Sequence, residues 1–177
     1  MIIGMTFQVL WFDDDVMSVR VQASNGLFSG TAELYEGLDL FTGLAAKISG
    51  FPTSKADSRD TELGTFNPAV GGGGAKLSLR CTDGLGHGLL SIRLRNDPKR
   101  GAGTAEFKIA VEANAIDAFV QELGAVQLEV GATAGLHGLE TFALGPSEEA
   151  ALLAAITEIE RGEVVSAPEV ISKIRGA

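Results

Sequence analysis

A two-residue rhythm runs through most of the chain and limits what it can become. Met17, Val19, Val21 and Ala23 alternate with Ser18, Arg20, Gln22 and Ser24. Successive strand side chains point to opposite faces, so this order buries one face of a strand and wets the other. The rhythm returns three times. Leu77, Leu79 and Cys81 alternate with Lys76, Ser78 and Arg80; Leu90, Ile92 and Leu94 with Ser91, Arg93 and Arg95; Phe107, Ile109 and Val111 with Glu106, Lys108 and Glu112. An apolar strand over 7–12 stops at Asp13, Asp14 and Asp15. Asn25-Gly26 predicts a type I′ hairpin turn, returning into a strand over 27–35. Short turns between such strands imply antiparallel pairing, with one face of the sheet on a core.

The period changes twice to that of a helix. Leu40, Phe41, Leu44 and Ile48 share one helical face behind Asp39, a capping residue by type. Phe51-Pro52 ends that helix, and 53–61 reads as an exposed polar loop. The four glycines of 71–74 read as a flexible turn. Ile116, Phe119, Val120 and Leu123 mark the second helix, and Val126, Leu128 and Val130 one further strand. Pro146-Ser147 opens a different region. Glu148 and Glu149 suit a helix N-terminus over 150–160, closed by Gly162, and Ser166-Ala167-Pro168-Glu169 has the form of a capping box, stapled by Val165 and Val170, for a last helix. The expected fold is α+β: a mainly antiparallel β-sandwich or half-barrel with two inserted helices and a C-terminal helical tail, divided into a β-rich domain over 1–140 and a tail over 144–177.

Composition narrows the partners. A net charge of -9 opposes the counterion release on which nucleic-acid affinity depends, so DNA and RNA are excluded, and it favours encounter with a basic protein. Cys81 is alone, which rules out an internal disulfide and fits a reducing compartment. Neither a basic leader nor an apolar run of membrane length is found, so a soluble cytoplasmic protein with no membrane partner is expected.

Nothing in the sequence assembles a catalytic, metal or cofactor site. His87 and His137 have no third ligand at metal spacing, and His87, among glycines, reads as a turn residue. Cys81 falls on the apolar phase of its strand and reads as a small buried hydrophobe. Asp13 to Asp15 lack the spaced oxygens of a calcium loop and read as a solvated turn. The stretch 71–76 is no phosphate loop, because Ala75 and Leu77 stand where glycine and a hydroxyl residue are required. One polar pattern stands out: Arg20, Lys76, Arg80, Arg93, Arg95 and Lys108 all fall on the wet phase of strands. They could form a basic face for an anionic partner, or be neutralised by Glu106, Glu112 and loop carboxylates as ordinary exposed pairs.

Trp11, Phe28-Ser29-Gly30, the helix at 38–44, Gly86-His87-Gly88 before an alternating strand, and the helix at 116–123 occur in an order that resembles the WapI-type bacterial immunity proteins over about residues 5–130. The resemblance implies a non-enzymatic module that neutralises a toxin delivered between cells. Separately, 159–166 and 169–175 resemble the C-terminal segment of short RelB-like antitoxins, which embraces the toxin; this implies that Glu160, Glu163 and Glu169 meet a partner, the alternative being a helical hairpin packed on its own domain. The expected function is therefore protein binding without catalysis. A small-molecule-binding or hydrolytic sandwich domain and a structural or oligomeric scaffold stand as alternatives.

Overall fold

A computed structural model describes residues 3–139 and, beyond them, Ala150, Leu153, Ala154 and Thr157. The chain divides into two compact units, Met1–Leu139 and Glu140–Ala177. In the second unit the four described residues are helical, within the helix expected over 150–160. The capping box at Ser166 and the last helix lie outside the described residues.

The first unit begins as a meander of three antiparallel strands, β1 (Gly4–Phe12), β2 (Val16–Ser24) and β3 (Ser29–Gly37), followed by helix α1 (Leu40–Ile48). A second meander, β4 (Ser58–Gly64), β5 (Gly74–Cys81), β6 (Gly88–Arg95) and β7 (Thr104–Val111), is followed by helix α2 (Ala113–Ala125). The last strand, β8 (Thr133–His137), returns to pair antiparallel with β1. Two four-stranded sheets result, in the orders β3-β2-β1-β8 and β4-β5-β6-β7. Their inner faces share one core, and the edge strand β3 touches all four strands of the second sheet. The fold is an α+β sandwich.

Alternation builds that core as expected, with Met17, Val19, Val21, Leu77, Leu79, Leu90, Ile92, Leu94, Phe107, Ile109 and Val111 all buried. The helices contact each other and supply Leu40, Phe41, Leu44, Ile48, Ile116, Phe119 and Leu123. Phe7 joins β1 to both of them. Its ring meets Phe41 edge-on at 6.3 Å and stacks on Phe119 at 6.1 Å, geometries that favour aromatic pairs beyond area burial. The void left where helices and sheets meet is about 20 Å³, lined by Met5, Leu44, Leu77 and Phe119 among others. That is room for about one water molecule.

Several local expectations are corrected. Asn25-Gly26 is not a two-residue I′ turn: Ser24 pairs with Ser29, leaving a four-residue loop in which the Asn25 carboxamide oxygen accepts the Leu27 and Phe28 N–H groups. This side-chain bond replaces the positive φ that a I′ turn would demand of Asn25. Asp39 occupies the N-cap position of α1 without a side-chain cap; its carbonyl accepts the Thr42 hydroxyl and the Gly43 N–H. The supposed loop at 53–61 contains most of β4, whose polar residues are tolerated because only Thr61 and Leu63 face the core of this edge strand. The final strand is β8, not 126–130, where Val130 is exposed.

The glycine run is also ordered. Gly72, Gly73 and Gly74 are buried, and a Cβ on Gly73 would lie 2.5 Å from the Arg95 carbonyl and 2.8 Å from that of Glu33. Glycine is required there because two backbones approach too closely for any side chain. The Gly73 N–H donates to the Glu33 carbonyl at 2.6 Å, tying β3 to the second sheet.

Candidate functional site

Strand register divides the six strand cations expected to share a face. Arg20 lies on the first sheet, and Lys76, Arg80, Arg93 and Lys108 on the outer face of the second. Arg95 turns to the loop at that sheet's end, where its guanidinium donates to the carbonyls of Thr65 at 2.7 Å and Gly72 at 2.8 Å. Glu160, Glu163 and Glu169 fall outside the described residues.

On the second sheet, Glu62, Lys76, Arg93 and Glu106 form one rung across all four strands. Lys76 meets Glu62 at 2.9 Å, Arg93 meets Glu106 at 3.7 Å, and Arg80 meets Asp60 at 2.9 Å. The Arg80 hydrogen bond, helped by Ser78, holds the Asp60 carboxyl below the usual carboxylate range. Phe66 lies on Gly74 between two cations, with the Lys76 ammonium 4.9 Å and the Arg93 guanidinium 5.7 Å from its ring centre. Among the described residues only Lys108 of this face lacks an ion pair. The face matches its own charges.

The ends of this sheet are fastened in the same way. Asp57 accepts from Arg59 and from the Thr53 N–H and hydroxyl, which together hold its carboxyl far below the usual range, and Arg59 also donates to the Lys47 carbonyl in the last turn of α1. In the β5–β6 turn, Asp83 and His87 share a short hydrogen bond that pulls the imidazole above its ordinary pKa and the carboxyl below its own. His87 is therefore a turn residue, as expected. Half-buried Cys81 directs its thiol to the Asp83 carbonyl at 3.0 Å.

The outer face of the first sheet is different. Gln8, Arg20 and Glu33 form its middle rung, with Arg20 donating to the Glu33 carboxylate at 2.7 Å. Toward one end, Gly135, Thr6, Gln22 and Thr31 and then His137, Gly4, Ser24 and Ser29 floor an open groove of about 400 Å³. At the other end stand Trp11, Ser18 and Tyr35 on a single rung. The chain has one tryptophan and one tyrosine; they are 49% and 51% exposed, flanking the same serine.

A β-bulge makes this possible. The pairing of β1 with β2 shifts between Val9 and Trp11, so Leu10 is the extra residue. Phe7 and Val9 point inward, and unbroken alternation would send Trp11 into the core after them; the bulge turns it outward and lets Phe12 pack on the core instead. Sequence reasoning missed both aromatics. Tyr35 left a signal, since it shares the wet phase of β3 with Thr31 and Glu33, whereas Trp11 left none without the bulge.

Among the described residues no group of three or more His, Cys, Asp or Glu side chains is arranged to hold a metal, and no helix is long and apolar enough to cross a membrane. Comparison of the chain with protein-family models, with curated proteins and with solved structures finds no match, so the reading of these faces rests on their chemistry.

Proposed function

We propose that this chain is a non-enzymatic binding module that captures a protein partner, of the toxin class, on the outer face of its first sheet. The observation that carries the reading is the Trp11–Ser18–Tyr35 rung beside Arg20. Tryptophan, tyrosine and arginine dominate the energetics of protein interfaces, because they bury large surfaces at small entropic cost while keeping a polar handle. A folded domain gains nothing for its own stability by leaving its lone tryptophan half in water. The adjoining groove, floored by hydroxyl and amide side chains, gives a partner's backbone groups hydrogen-bonding positions along the same strands. The net charge of -9 speeds encounter with a basic protein. The resemblance to immunity proteins over 5–130 supports a toxin as that partner.

The test is a pair of photo-crosslinking substitutions in the full chain, one at Gln22 on the first sheet and one at Lys108 on the second, used in the native host. A protein captured from Gln22 and not from Lys108, whose purified activity is suppressed by the chain, is the expected result. Capture from Lys108 alone, or a captured protein whose activity the chain leaves untouched, overturns the reading.

A further inference from the structure

We infer that the Trp11–Ser18–Tyr35 rung receives a cationic side chain, arginine or lysine, from an exposed basic segment of the partner; this rests on the protein-binding reading above and names the chemistry of its partner. The face of an aromatic ring attracts cations, tryptophan most strongly. The molecule contains its own demonstration, because Phe66 on the second sheet is flanked by Lys76 and Arg93. Trp11 and Tyr35 are the more exposed rings, yet among the described residues the cation–ring contacts are those of Phe66. Arg20, the cation one rung away, is held on Glu33 at 2.7 Å with a second bond to Gln8 at 3.4 Å, and does not serve the aromatic pair.

Geometry and charge agree on the occupant. Trp11 and Tyr35 lie on strands either side of β2, roughly 10 Å apart from the usual strand spacing, with only the small Ser18 between them. The Tyr35 ring rests on Gly72 and Trp11 stands half exposed on the other side of β2, so an extended arginine or lysine side chain laid over Ser18 runs between the strands that carry the two rings. Immediately along the chain, the β1–β2 turn carries Asp14 and Asp15, both exposed, while Asp13 is engaged by the Asp15 and Val16 N–H groups. That fringe attracts a cation, repels nucleic acid and does nothing for a neutral glycan.

The single tryptophan makes the test direct, since emission from the folded protein reports on Trp11 itself. The full chain is titrated with a blocked peptide alternating arginine and glycine, with its glutamate counterpart, and with a neutral oligosaccharide. A saturable change with the arginine peptide alone is expected, weakened roughly threefold to tenfold by Tyr35→Leu, retained by Tyr35→Phe, and weakened several-fold by Asp14→Asn with Asp15→Asn or by raised salt. Retention in Tyr35→Phe separates loss of the ring from loss of the fold. An equal response to the glutamate peptide or the oligosaccharide, or no response to any probe at millimolar concentration, overturns the inference. Capture from Gln22 is unaffected by that outcome, so the protein-binding reading fails or stands on its own experiment.

Discussion

Across the second sheet the long rung reads Glu62, Lys76, Arg93, Glu106, and its inner cations meet the carboxylates beside them; across the first sheet the end rung reads Trp11, Ser18, Tyr35, the Tyr35 ring resting on Gly72 and neither ring carrying a cation among the described residues. Both sheets have four antiparallel strands over a common core, and each meander leads into a helix that helps to close it. Their outer faces have opposite chemistry. A partner docking on the second face would have to strip water from ion pairs that are already satisfied, and would gain little in exchange. On the first face it would cover half-exposed rings, where desolvation is favourable, and an unfilled groove whose hydroxyl and amide groups it could hydrogen-bond. A count of positive charges along the strands therefore points to the less receptive face; what matters is which groups the fold has left unmatched.

The contrast can be broken most decisively at Trp11. Trp11→Ala should weaken partner affinity by about 2 kcal/mol or more, as expected of a central interface aromatic, while moving unfolding stability by only about 0.5 kcal/mol. Calorimetric titration and urea denaturation read the two quantities, and a large stability loss with unchanged affinity would make Trp11 a structural residue. Next in size is Arg95→Ala. It strips the Thr65 and Gly72 carbonyls of a charged donor and should cost about 1.5–3 kcal/mol in urea unfolding, with faster amide exchange over 65–73. A neutral outcome would mean that the glycine crossing holds the loop unaided.

Smaller effects belong to the ion pairs of the second face. Lys76→Ala with Glu62→Ala should change stability by about 0–1 kcal/mol and leave partner affinity untouched, since both side chains are half exposed. A tenfold affinity loss there would reverse the assignment of the faces. The last test is a titration. Asp83 raises the His87 pKa and His87 lowers that of Asp83, so the pair supports the β5–β6 turn between those two values. Its contribution is lost as pH rises through the raised histidine value and, separately, as pH falls through the lowered carboxyl value. NMR titration should place His87 above the ordinary value of about 6.5, and Asp83→Asn should return it there.

Most of this architecture was legible in the residues. Over 17–23, 77–81, 90–94 and 107–111, where apolar side chains recur every second position, strands form with that face on the core, whereas the same rhythm at Val126, Leu128 and Val130 forms none; Leu40, Phe41, Leu44 and Ile48 marked the buried side of α1 without error. What escaped has local physical causes. β4 contributes only Thr61 and Leu63 to the core, so its sequence resembles a loop. β8 is short, and its inward residues, Ala134 and Leu136, carry little apolar weight beside the valines that precede it. The candidate site was hidden by one inserted residue: alternation assigns Trp11 to the interior, and nothing in the sequence announces that Leu10 breaks the count. The cations were identified as strand residues on the wet side, but their pairing depends on cross-strand register, a property of neighbours distant in sequence.

The pairing of β8 with β1 has a consequence for biosynthesis. Sheet one takes its strands from both extremes of the unit, so during translation β1 waits for residues 133–137 before its free edge is covered. Until then a nascent chain exposes a row of unmatched backbone donors and acceptors beside an apolar strand, the arrangement most open to pairing with another chain. In the finished fold β1 covers one side of the late strand, and on its outer side the Glu122 carboxylate on α2 accepts the Gly135 N–H at 2.8 Å. Emergence of residues 133–137, rather than of the first meander, is thus the moment at which the free edge of β1 is covered.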